Sequence, residues 1–122
     1  MIKGFETYTE PLSRQDKEEL APAMARLFAW RKGKACAIRN SELRAEMRSR
    51  GYHVSEAKVR ALINYIRTAG LVERLVASSL GYYIAESAVE LADYCDSLRE
   101  REAAIRAVRQ ALEGQNTASL FG

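Results

Sequence analysis

Histidine, cysteine and proline are scarce in this chain. His53 is the single histidine, and Cys36 and Cys95 are the two cysteines among 122 residues. The cysteines form no CxxC pair, and with one histidine beside them they fall short of the four ligands of a structural zinc site. One pair is also far from a disulfide framework, so both are read as small buried apolar groups. No apolar run approaches the roughly 18 residues needed to cross a bilayer. The opening MIKGFETYTEPLS carries acids and lacks the apolar stretch of a secretory signal. Cytoplasmic residence is the expectation that follows. Also missing are a glycine-rich phosphate loop, HExxH, GxSxG and a paired-carboxylate arrangement. His53 has no visible carboxylate or serine partner for acid–base work, and is read as structural or as a phosphate contact. An enzyme is not expected, and neither is a metal or another cofactor.

What is present is enough apolar material for a core, and a charge that is unevenly spread. With 48% hydrophobic and 29% charged residues, the composition is that of a soluble globular protein. A chain of this length makes one domain whose core needs no staples. The net charge of +3 conceals an asymmetry. Residues 31–74 hold eleven lysines and arginines against four acids, whereas the remainder is net acidic. A basic middle between acidic ends suits a polyanionic partner.

Periodicity and capping residues divide the chain. Ser13 is placed to cap a first helix, with Asp16 three residues on in the manner of a capping box. Pro22 removes a backbone donor and predicts a kink or restart. The helix resumes through AMARLFAW, burying some of Met24, Leu27, Phe28 and Trp30, and Gly33 ends it. KACAI, 34–38, reads as a short strand. Asn40 or Ser41 caps a second helix with Leu43 and Met47 inward, stopped by Gly51. Ser55 caps a third, with Glu56 in its first turn, and Gly70 ends it. Val59, Leu62, Ile63 and Ile66 form the buried stripe of that helix.

The period then changes. LVERLVA and GYYIA, separated by SSL, predict a hairpin over about 72–77 and 81–85, with Tyr82 and Ile84 inward and Tyr83 outward. From Ser87 to Gly114 no breaker intervenes, and a long helix is expected. Leu91, Tyr94, Leu98, Arg101, Ile105, Val108 and Leu112 recur at alternating spacings of three and four, which is a heptad seam with one arginine in it. The seam can pair two chains or pack within one. The expected fold is mainly α with a small β-hairpin: a winged helix-turn-helix plus a long C-terminal helix. Residues 13–86 form the first domain and 87–114 the C-terminal helix, with irregular tails at 1–12 and 115–122.

In this topology the second helix of the unit, 56–69, is the one that enters a DNA major groove. At about 100° per residue, Ala57, Ala61, Asn64 and Thr68 point away from the buried stripe, flanked by Lys58, Arg60, Tyr65 and Arg67. Arginine pairs bidentately with guanine and asparagine with adenine, and small residues let the backbone come close. The candidate DNA contacts are Lys58, Arg60, Ala61, Asn64 and Arg67, with Ser55 at the helix start and Ser78 and Ser79 at the uncharged hairpin tip. Arg31, Lys32, Lys34, Arg39, Arg44, Arg48 and Arg50 are read one by one as solvated side chains, some of which hold phosphates.

The words GKACAIRNSELRAEM, VRALINYIRTAGLV and LVASSLGYYIA, followed by SLREREAAIRAVRQAL, resemble a family of small phage and prophage-type bacterial proteins that carry a winged helix-turn-helix and a trailing helix. The resemblance covers most of Pro11 to Leu112 and implies a bacterial or phage DNA-binding regulatory or replication factor. It assigns no site residue. Double-stranded DNA is therefore the expected partner, and no membrane. A protein-docking adaptor built on the same fold is the alternative, and a homodimer through Leu91, Tyr94, Leu98, Ile105, Val108 and Leu112 is compatible with either.

Overall fold

The first helix begins with reciprocal capping. In a computed structural model, which describes the backbone of residues 11–121 and the side chains of 11–116, the Asp16 N–H donates to Ser13 Oγ at 3.0 Å. The Ser13 N–H donates to Asp16 Oδ2 at 2.9 Å. Asp16–Leu20 is π-wound and gives way at once to α1, Ala21–Arg26. The change of winding falls where Pro22 requires it. Its ring crowds the carbonyl four residues back, and the wider turn makes room.

The apolar pattern predicts helix up to Gly33, but α1 stops at Arg26. The N–H groups of Leu27, Phe28 and Ala29 bond to carbonyls three residues back, a tighter winding that turns the side chains by a different step. Met24 and Phe28 are fully buried, whereas Trp30 is 89% exposed.

Lys34–Cys36 is a 3₁₀ turn, not the strand expected there. Sheet pairing is confined to isolated bridges on either side of it, Lys32 with Ile84 and Ile38 with Tyr82. Ile38 and Tyr82 exchange both backbone bonds, at 2.9 and 2.8 Å. The β-branched residue thus makes a single-residue strand, while the turn before it is too tight to pair.

Helix α2 is Asn40–Ser49. Its N-cap is Arg39 rather than Asn40 or Ser41, because Glu42 reaches back to accept the Arg39 N–H at 2.9 Å. Leu43 and Met47 are fully buried. The helix closes with the Tyr52 N–H on the Met47 carbonyl and the Gly51 N–H on that of Arg48, both at 2.9 Å. This closure needs a left-handed residue, and Gly51 supplies it at φ 89°.

Helix α3 is Glu56–Thr68. As expected, Ser55 Oγ caps it by accepting the Lys58 N–H at 3.0 Å. Val59, Leu62, Ile63 and Ile66 are buried in one cluster with Met24, Phe28, Leu43 and Met47. Each such side chain contributes roughly 1.5–3 kcal/mol by leaving water. Gly70, at φ 73°, follows the last turn.

The hairpin is β1, Leu75–Ser78, and β2, Gly81–Ile84, antiparallel and paired from Leu75–Ile84 to Ser78–Gly81. It starts later than the apolar pattern suggests, because residues 71–74 turn, with Arg74 at φ 61°. Tyr82 and Ile84 pack against the core, half-buried. Tyr83, expected outside, is only 4% exposed, and its cross-strand neighbour Val76 is buried too. Alternation defines two faces without stating that one is wet, and here both are covered.

Ser87 Oγ accepts the Glu90 N–H at 3.1 Å at the start of α4, Ala88–Phe121. The helix runs through Gly114 and beyond 115, where an irregular tail was expected. A helical glycine costs about 1 kcal/mol against alanine, which weakens a helix without ending it. Cys36 and Cys95 are half-buried rather than buried. The chain divides into two units, Met1–Glu86 and Ser87–Gly122. Among the described residues the fold is mainly α with one two-stranded sheet. The expected tail over 1–12 lies almost wholly outside the described residues.

Candidate nucleic-acid interface

Helix α3 has a packed arc wider than its four apolar residues. Lys58, Ala61 and Tyr65 follow one another at spacings of three and four, so they share a stripe. Lys58 Nζ donates to Asp16 Oδ2 at 2.8 Å. Tyr65 packs half-buried against the core, with Lys17 Nζ 5.7 Å from its ring centre. This stripe therefore faces the π-wound turn. Ala61, caught between the two long side chains, is only 6% exposed. Two of the expected DNA contacts leave the candidate surface on this ground. Ala61 is covered, and the Lys58 ammonium is bonded inside the fold.

The Lys58–Asp16 pair is itself well made. Burial alone would raise the Asp16 carboxyl's pKa. The hydrogen bonds from Lys58 and from the Ser13 backbone and hydroxyl, with the Lys58 charge, outweigh that and hold it below the ordinary carboxylate range.

The remaining face of α3 is open. Asn64 and Thr68 are exposed, and Ala57, Arg60 and Arg67 are half-exposed. Arg60 Nη1 donates to Glu56 Oε1 at 2.7 Å, one turn back. Such an exposed pair is worth little and is readily exchanged. Arg60, Asn64 and Arg67 are thus brought to one surface, as expected. Ser55 is exposed next to them, although its Oγ lone pair serves the helix cap.

A cleft of about 440 Å³ opens beside this face, between the start of α2, the first turn of α3 and the hairpin. Arg39, Arg44, Glu56 and Ser79 are among its walls. Each arginine is steadied by a main-chain carbonyl. Arg39 Nη1 donates to that of Ser79 at 3.5 Å, and Arg44 Nε to that of Val54 at 3.2 Å. Asn40 Nδ2 donates to the Glu56 carbonyl at 3.3 Å and ties the two helices together.

The hairpin serines divide. Ser78 Oγ donates to the Gly81 carbonyl and accepts the Leu80 N–H, both at 3.1 Å, so it builds the turn. Ser79 is exposed at the tip. Arg39 and Arg44 are the residues that sequence reasoning did not single out. Their only signal was membership of a long run of basic positions, which does not say which of them share a cleft.

Among the described residues no cluster of histidine, cysteine, aspartate or glutamate could hold a metal ion, and no helix is long and apolar enough to cross a membrane. Comparison with protein-family models, with curated proteins and with solved structures finds no match.

Proposed function

We propose that the protein binds double-stranded DNA, with α3 in the major groove. Arg60, Asn64 and Arg67 meet base edges, and Arg39 and Arg44 hold flanking phosphates. The observation that carries this reading is the open Arg60–Asn64–Arg67 face beside a cleft walled by two more arginines. One helix fits the groove, and these side-chain types match the donor and acceptor code displayed there. Phosphates supply affinity and orientation while base edges supply selectivity, and the two arginine groups divide along that line. A regulatory or replication role of the phage or bacterial kind is what the family resemblance adds.

Selection from a random duplex pool defines the preferred site. On that site Arg60→Ala and Asn64→Ala are each expected to cost on the order of 1–3 kcal/mol and to flatten the preference. Circular dichroism checks folding. A folded double variant that binds as the parent does would remove the readout role.

A specific observation favours the second reading, a protein-docking adaptor. Leu80 is exposed at a hairpin tip that carries no charge. Under that reading Leu80→Ser, which adds no charge beside the arginine cleft, abolishes partner binding, whereas under the first it leaves DNA affinity unchanged.

A further inference from the structure

Every described residue of α4 from 96 to 116 is exposed. A helix of this length with no packing is marginal in water, because little offsets its nucleation and ordering. Its apolar residues nevertheless fall in register. Leu98, Ile105 and Leu112 occupy one seam position at intervals of seven. Arg101 and Val108 occupy the other. Leu98, Ile105, Val108 and Leu112 are all large and exposed. A strict seven-residue repeat on a helix of 3.6 residues per turn is the pattern that winds helices around one another with a left-handed twist.

The charges say what lies opposite. Of the four arginines of α4, three are paired along their own helix: Arg99 with Asp96, Arg106 with Glu102 and Arg109 with Glu113. Among the described residues Arg101, the one in the seam, has no such pair. In a parallel two-stranded coil, a side chain at its position enters a hole formed by residues 98, 101, 102 and 105 of the facing helix. In a second copy of this chain residue 101 is the like-charged arginine and residue 102 is a glutamate, which also takes Arg106 of its own helix and is placed to offset the arginine pair. An antiparallel arrangement would instead set Arg101 against an apolar position of the seam, Ile105 or Leu112, and bury its charge without a partner.

We propose that α4 pairs with α4 of a second copy as a parallel coiled coil, in which Arg101 of each chain bonds to Glu102 of the other. The inference is independent of DNA binding. If both hold, the dimer's two-fold symmetry predicts a two-fold symmetric DNA site.

Sedimentation equilibrium of the full chain tests it. The parent is expected to be a dimer in the micromolar range. Ile105→Asp should raise the dissociation constant on the order of 100-fold. Arg101→Glu should weaken it about tenfold, by setting glutamates against each other. The reciprocal Arg101→Glu/Glu102→Arg protein should recover to within a few-fold of the parent. A chain that stays monomeric at about 0.5 mM overturns the proposal. So does a dimer indifferent to Ile105→Asp, or loss of the Met1–Glu86 fold in that variant, which would make the seam an intrachain core. Failure of the reciprocal pair to recover overturns the parallel arrangement with its Arg101–Glu102 bond.

Discussion

Lys58 sits on the helix proposed to meet DNA, yet its ammonium is 2.8 Å from Asp16 on the other side of that helix. Its role is to satisfy a carboxylate that burial would otherwise penalise. Two consequences follow at this scale. Lys58→Met should destabilise the fold on the order of 1–2 kcal/mol at neutral pH, by leaving Asp16 short of a partner. It should leave the salt dependence of DNA binding unchanged, since no phosphate contact is lost. Chemical denaturation and a binding titration separate the two. The pH dependence has a definite sign. The Asp16 pKa is lowered in the folded chain, so the stabilisation is fully present above the unfolded value, about pH 4. It is lost as pH falls from there through the folded value. An Asp16→Asn protein should be less stable than the parent at pH 7 and should lose less stability on acidification, measured by urea midpoints at several pH values.

At the scale of the element, the hairpin depends on one glycine. Gly81 opens β2 at φ 123°, and a Cβ built on it would lie 2.5 Å from the Ile38 carbonyl oxygen. That carbonyl is locked in the Ile38–Tyr82 bridge, so the backbone cannot yield without losing the pairing. Gly81→Ala thus combines a strained dihedral with a clash against main chain. It is expected to destabilise the protein by about 2–4 kcal/mol, with hydrogen exchange rising first at Ile38, Tyr82 and Ile84. A change below about 0.5 kcal/mol would show that the hairpin is not held to Ile38 as described. The helices behave differently, because each is ended and begun by local chemistry. Ser55 starts α3 and the Gly51 closure ends α2. Both devices are bonds made within a few residues of the turn.

For the whole molecule, charge distribution matters more than net charge. The basic residues that face outward around the cleft and α3 are Arg39, Arg44, Arg60 and Arg67. If Arg39 and Arg44 hold phosphates while Arg60 and Arg67 meet base edges, binding should weaken with salt at a slope of about −2 in log affinity against log concentration. Arg39→Ala and Arg44→Ala should each reduce the slope by about one and weaken all sequences alike. Arg60→Ala should act mainly on the preferred site. A parent slope near zero would mean that the arginines do not meet phosphates at all.

The sequence by itself determined what is local. Ser13 and Ser55 as caps, Gly51 as a stop, the restart at Pro22 and the inward faces of α2 and α3 all follow from spacings of three or four residues, which a helix enforces wherever it is placed. The face holding Arg60, Asn64 and Arg67 was legible for the same reason. Tertiary structure alone decided what depends on distant partners. Lys58 was withdrawn by Asp16, 42 residues away. Ala61 was covered because its stripe faces the π-wound turn, and Tyr83 because its own hairpin face is covered as well as the one that meets the core. Arg39 and Arg44 gained a cleft only when β1 and β2 folded against the start of α2. The continuation of α4 past Gly114 lies between these cases, since a lone glycine shifts a helical equilibrium by about 1 kcal/mol and does not decide it. Periodicity states which residues share a face. It takes the packed chain to state what each face meets.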